Sequence, residues 1–207
     1  MSEYNKPVKI TSPVGEAVWP KLNKPDTKFN KDGVYEVKLR VTSEESEPFV
    51  TRLQCILKDY VATLGKSEPK MAPLPWGEVT DDDGNPTGDL EFKFKLKAVG
   101  TSNGEQFTQR PKLYDSEGKD MTEEIGGGSR IQVGAEVVLY SVPAIGTGIS
   151  LRLKAVKVFE LKEYGGGAET WSFSDGGEFV TEGSSTATEE KPAPAKKEAS
   201  DSDDYDF

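Results

Sequence analysis

Histidine is absent from the 207 residues, and cysteine occurs once, as Cys55. Without a second thiol no disulfide can close within the chain. Without imidazole, neither a Cys/His zinc site nor a Ser-His-Asp or Cys-His nucleophile can be assembled. No apolar run approaches the roughly 20 residues that a membrane-spanning helix needs, and Met1-Ser2-Glu3-Tyr4 does not read as a signal peptide. These absences point to a soluble, intracellular protein with no cofactor and no membrane partner. Hydrophobic residues make up only 34% of the chain, and the shortage is uneven. From Thr181 onward Val, Ile and Leu are missing, while Ser, Thr, Ala, Pro, Glu and Lys dominate. Such a stretch cannot bury enough apolar surface to offset its ordering entropy. We read residues 1–180 as a folded domain and 181–207 as a disordered acidic tail.

The net charge of −10 argues at first against a nucleic-acid partner. Residues 181–207 hold 8 acidic and 3 basic side chains, leaving 28 acidic and 23 basic on the remainder. The body is therefore only mildly acidic, and local field rather than net charge decides where a phosphate settles. The sequence closes on Asp201-Ser202-Asp203-Asp204-Tyr205-Asp206-Phe207. Four carboxylates (Asp201, Asp203, Asp204 and Asp206) followed by Phe207 have the make-up of a docking or competitor peptide. Charge would find a basic cleft, and a ring would anchor there.

Residues 34–41 alternate cleanly, with Tyr35, Val37, Leu39 and Val41 on one face and Glu36, Lys38 and Arg40 on the other, the pattern of a half-buried strand. Ser46-Glu47-Pro48 reads as a helix start, with Ser46 as N-cap. Phe49, Leu53, Ile56, Leu57, Tyr60, Val61 and Leu64 then recur at helical spacing up to Gly65. Residues 66–89 read as a long loop. Within it the consecutive Asp81, Asp82 and Asp83 fit a solvated turn rather than a calcium loop, which needs acids at alternate positions. Leu90 to Ala98 is the clearest strand. Two long strands, 129–142 and 148–161, meet through Pro143-Ala144-Ile145-Gly146. One helix among many alternating strands predicts an all-β architecture, a small barrel with an inserted helix.

Proteins that bind single strands combine a cationic groove with rings on which bases stack. Lys93, Lys95 and Lys97 share one strand face about 7 Å apart; Arg152 and Lys154 share the corresponding face of the last strand, and Arg130 begins its neighbour. A wet face of an antiparallel sheet also carries lysines, so the row gains weight from the tail beside it. Candidate rings are Tyr35, Phe107, Tyr114, Tyr140 and Trp171; Tyr140 lies on the non-core face with Arg130, whereas Tyr35 lies on the apolar side. Gly126-Gly127-Gly128-Ser129-Arg130 lacks the Gly-Lys-Ser/Thr ending of a nucleotide-binding loop and leads into a strand. The sequence offers no constellation for catalysis.

Several segments occur in an order that resembles a known family: Gly33-Val34-Tyr35, Phe92-Lys93-Phe94-Lys95, Asp115-Ser116-Glu117-Gly118-Lys119, Ile125-Gly126-Gly127-Gly128-Ser129, Val156-Lys157-Val158-Phe159-Glu160-Leu161, Tyr164-Gly165-Gly166-Gly167 with Trp171, and Asp206-Phe207. Together they resemble the single-stranded DNA-binding proteins of T-seven-like podoviruses across almost the whole chain. The resemblance implies an oligonucleotide/oligosaccharide-binding (OB) barrel that binds single-stranded DNA and promotes annealing in replication, recombination and repair, within the cytoplasm of an infected bacterium. It also implies a homodimer, and a tail that contacts phage DNA polymerase and primase-helicase while competing with DNA for the cleft. Lys93 and Lys95 match the family's basic strand positions. Two departures stand out: Asp32 precedes Gly33 where a basic residue is expected, and Val142-Pro143 runs into Ala144-Ile145 where aromatics are expected. Two other readings stay open, a β-rich virion or scaffolding protein without DNA affinity and an RNA-binding OB domain.

Overall fold

In a computed structural model, residues 7–65, 69–102 and 104–163 are described. The boundary expected at 180/181, the tail and Trp171 lie outside them. Period-two alternation builds the strands. In β2 (Val34–Thr42) Tyr35, Val37, Leu39 and Val41 are buried, and the charged residues between them turn outward. In β4 (Pro86–Lys97) Phe92, Phe94 and Leu96 are buried while Lys93, Lys95 and Lys97 are exposed. β8 (Arg130–Val142) and β9 (Gly146–Glu160) bury Ile131, Val133, Ala135, Val137, Ile149, Leu151, Leu153, Val156 and Val158.

β1 (Val8–Asp26) is one strand of 19 residues rather than the one or two short strands its composition suggests. It pairs first with β8 and then with β2, and register shifts let it turn between them. Ser12-Pro13 sits at the first shift, where Ser12 Oγ accepts from the Val133 N–H at 2.9 Å. A Cβ on Gly15 would lie 2.4 Å from the Arg40 carbonyl oxygen, so the close approach of β1 to β2 needs glycine.

β2, β4, β9, β8 and β1 pair in a closed ring of five, all antiparallel except the β4–β9 seam, which is parallel. That strand order is the OB barrel's, as the resemblance implied. β3 (Trp76–Thr80) adds to the outer edge of β4, and β7 (Lys112–Tyr114) to β9. β5 (Val99–Ser102) and β6 (Glu105–Thr108) form a separate hairpin. β3 falls inside the stretch read as loop, since Pro73 and Pro75 precede it and its five residues bury little.

Helix α1 (Ser43–Thr63) begins earlier than its apolar period indicates. Thr42, the last strand residue, is the N-cap: its hydroxyl accepts from the Glu45 N–H, and Glu45 Oε2 lies 3.1 Å from the same oxygen. Ser46 is instead fully buried and donates to the Ser43 carbonyl at 3.0 Å. Phe49, Leu53 and Leu57 face the barrel, with Phe49 edge-on to Phe92 at 5.2 Å. The glycine run 126–128 serves as a turn, because Ser129 Oγ donates to the Gly126 carbonyl and accepts from the Lys162 N–H. Asp81 likewise caps its own turn, accepting from the Asp83 and Asn85 N–H groups.

Candidate nucleic-acid interface

The outward faces of β2, β4 and β9 meet edge to edge. Register places Lys38 beside Lys93 and Glu36 beside Lys95. Across the parallel seam Lys95 lies beside Arg152, and Arg152 in turn lies beside Glu136 of β8. The result is one cationic surface carrying Lys38, Arg40, Lys93, Lys95, Arg152 and Lys154, built from strands far apart in sequence. Three carboxylates stand within it. Glu91 binds Lys38 and Arg40, both at 2.9 Å. Glu136 lies 3.8 Å from Arg152 and 3.7 Å from Lys154. Glu36 lies 3.3 Å from Lys95.

Charge crowding leaves a mark on Lys93. Partial burial and the neighbouring ammonium of Lys95 hold its pKa below the usual lysine value, with Lys38 acting in the same direction. Glu91 goes the other way: burial pushes its carboxyl up, but the hydrogen bonds from Lys38 and Arg40 outweigh that and hold it below the ordinary range. Phosphate oxygens set between Lys93 and Lys95 would relieve the first of these tensions.

Above this surface stands Trp19, which the sequence offers only as strand material. Between Val18 and Lys21 of β1 the register against β2 slips by one residue, the signature of a bulge, which re-aims side chains. Trp19 has φ +49°, the one non-glycine residue with positive φ among the described residues, and is 78% exposed. It borders a cavity of about 260 Å³ together with Lys21, Glu36, Val37, Lys38 and Lys93. A large exposed ring in the left-handed region gains nothing from burial and costs about 1–2 kcal/mol of backbone strain. Such geometry fits a platform better than a core residue. The Trp-Pro step in a lysine-rich segment was the available signal.

The other expected residues fall in different places. Lys97 continues the β4 row toward the strand end, beside Val34. Arg130 pairs across to Glu16 on one side and Glu160 on the other, roughly 20 Å along β8 from Glu136, and so stands outside the row. Tyr140 lies near the β8–β9 turn, half-buried, with its ring over Gly148; a Cβ there would come 2.6 Å from the Tyr140 hydroxyl. Among the remaining rings, Tyr35 is in the core, Phe107 packs on Gly100 in the β5–β6 hairpin, and Tyr114 is half-buried in β7. Phe29, 91% exposed in the loop between β1 and β2 with Lys28 Nζ 5.5 Å from its ring centre, is a second ring the sequence reading did not select. In OB barrels the second and third barrel strands and the loops joining strands one to two and four to five carry the ligand. Here those are β2, β4, the Phe29 loop and the Pro143-Ala144-Ile145 turn.

Among the described residues no helix is long and apolar enough to cross a membrane, and no group of acidic or thiol side chains could hold a metal ion. No family profile matches the chain. The single-stranded DNA-binding protein of Escherichia phage T7 is 32% identical over 196 residues, covering 84% of this chain and 81% of that protein. The protein of the same description from Enterobacteria phage T3 is 29% identical, covering 86% and 85%. The crystal structure of gp2.5, the single-stranded DNA-binding protein encoded by bacteriophage T7, superposes with a TM-score of 0.63 at 27% identity, over 85% of this chain and all of that one. The single-stranded DNA-binding protein of bacteriophage Enc34, in complex with single-stranded DNA, shares the fold at a TM-score of 0.52 and 17% identity, over 75% of this chain and 88% of that one.

Proposed function

Because the chain belongs to the single-stranded DNA-binding proteins of T7-like phages, we propose that it coats single-stranded DNA in a sequence-tolerant way along the β2–β4–β9 face. The observation that supports this most is the cationic row running across three barrel strands with Trp19 standing beside it. Phosphates lie along Lys38, Lys93, Lys95, Arg152 and Lys154, and bases turn toward the rings. The binding domain comprises residues 1–180, and its work is binding rather than catalysis. In the infected bacterium it holds exposed strands open for replication and recombination and helps complementary strands pair.

The acidic run 201–207 acts as a tethered polyanion at effectively millimolar concentration. It occupies the cationic face until DNA displaces it, and its rings then become available to phage DNA polymerase and primase-helicase. Removing residues 181–207 is expected to tighten binding to oligo-dT several-fold at low salt. Unchanged or weaker binding would remove the competitor role. Titration with oligo-dT and its RNA counterpart, followed by tryptophan fluorescence, tests the whole reading. Preference for RNA would favour the RNA-binding alternative, and no response to either would leave a scaffolding role.

Trp19→Gly separates function from stability. Glycine adopts φ +49° without strain, so thermal stability should hold or rise. Single-strand affinity should nonetheless fall by about 1–3 kcal/mol, the value of one stacked base. Equal affinity would show that the ring carries no base.

A further inference from the structure

Glu36 is an anomaly on a surface that collects phosphates. Glu91 and Glu136, the other two carboxylates there, each sit between two cations and are largely covered, with side chains 19% and 12% exposed. They hold the row together. Glu36 has Lys95 at 3.3 Å and Lys21 opposite it on β1, yet its side chain is 32% exposed and borders the cavity beside Trp19. An anion placed where a phosphate must pass weakens binding, but one placed where a base edge arrives does not. The cavity of about 260 Å³ falls short of the about 300–1,000 Å³ that drug-sized ligands occupy, a size suited to one planar base. Trp19, three lysines (Lys21, Lys38 and Lys93), Val37 and Glu36 line it, so its wall is largely apolar and Glu36 is its one acidic residue.

We propose that this notch is a base-reading subsite in which Glu36 accepts a hydrogen bond from the exocyclic amine of a nucleobase stacked on Trp19. Ionised glutamate only accepts. Cytosine offers its N4 amine, and adenine its N6 amine. Thymine carries O4 where cytosine has its amine, and its one ring donor, the N3–H, is flanked by two carbonyl oxygens that repel a carboxylate, so it serves Glu36 less well. The protein therefore binds every sequence through its phosphates yet favours amine-bearing bases at this one position.

The inference rests on the single-strand reading above, and the experiment tells the two apart. Full-length native protein and Glu36→Gln are titrated with oligo-dC and oligo-dT of equal length, in mildly alkaline buffer where dC does not pair with itself. Native protein should prefer oligo-dC about fivefold, the factor carried by one net hydrogen bond. In Glu36→Gln both oligonucleotides should bind tighter, because a negative charge has left the face. Their ratio should collapse toward one, because an amide can serve either base. A ratio equal in the two proteins would overturn the subsite even if both variants bind well. Failure of both oligonucleotides to bind would overturn the single-strand reading itself.

Discussion

Replacing both Lys93 and Lys95 with alanine is expected to weaken single-strand affinity about 10- to 100-fold, taking each exposed lysine–phosphate contact as worth about 0.7–1.4 kcal/mol, within the net range of a typical hydrogen bond. The salt dependence is the sharper readout. Each phosphate contact on a single strand contributes about 0.7 to the slope of log affinity against log salt, so losing two should reduce that slope by about 1.4. Both ammonium groups are exposed in the middle of β4, beside Lys38 on one strand and Arg152 on the other. The pair removes two charges from the centre of the row. Their exposure also predicts little change in thermal stability, which keeps a binding defect from being mistaken for unfolding. An unaltered slope would exclude this face from the phosphate path.

The largest stability effect is expected at Phe92. Its ring is fully buried and meets Phe49 of α1 edge-on at 5.2 Å and Trp76 of β3 at 6.3 Å. It therefore joins three elements: barrel wall, helix and edge strand. Phe→Ala in such a setting costs about 3–5 kcal/mol, out of the about 5–15 kcal/mol that holds a typical domain together. Urea denaturation of Phe92→Ala should show a correspondingly lower midpoint. A loss below about 1 kcal/mol would mean that α1 does not depend on this contact.

Much of the barrel was legible in advance because one wet face and one buried face force strict alternation. Tyr35 to Val41 and Leu90 to Lys97 could be assigned residue by residue, and the order of short motifs matched the family to which the chain belongs. Most of the features that escaped share a cause, dependence on register. Lys38 and Arg40 were read as outward-facing, but only the pairing of β2 with β4 brings them beside Lys93. Trp19 reaches the surface because β1 slips one residue against β2, and nothing in the local pattern encodes a partner strand's count. Thr42 as a cap was hidden for another reason, since β2 passes into α1 with no intervening loop and the apolar period starts only at Phe49. Arg130 and Tyr140 share the outward side of β8 with Glu136 but stand along its length on either side, a separation that parity alone does not reveal.

The β4–β9 seam is held by two residue pairs, Phe94 with Leu151 and Lys95 with Arg152, whereas β8 and β9 are matched along nearly their full lengths. The cylinder thus has one thin stitch, and the cationic row lies directly over it. A polyanion laid across Lys95 and Arg152 would bridge the two lips from outside and draw them together. The ligand would then act as a clasp, tightening the wall on which it rests, so that occupancy and closure of the cylinder rise together.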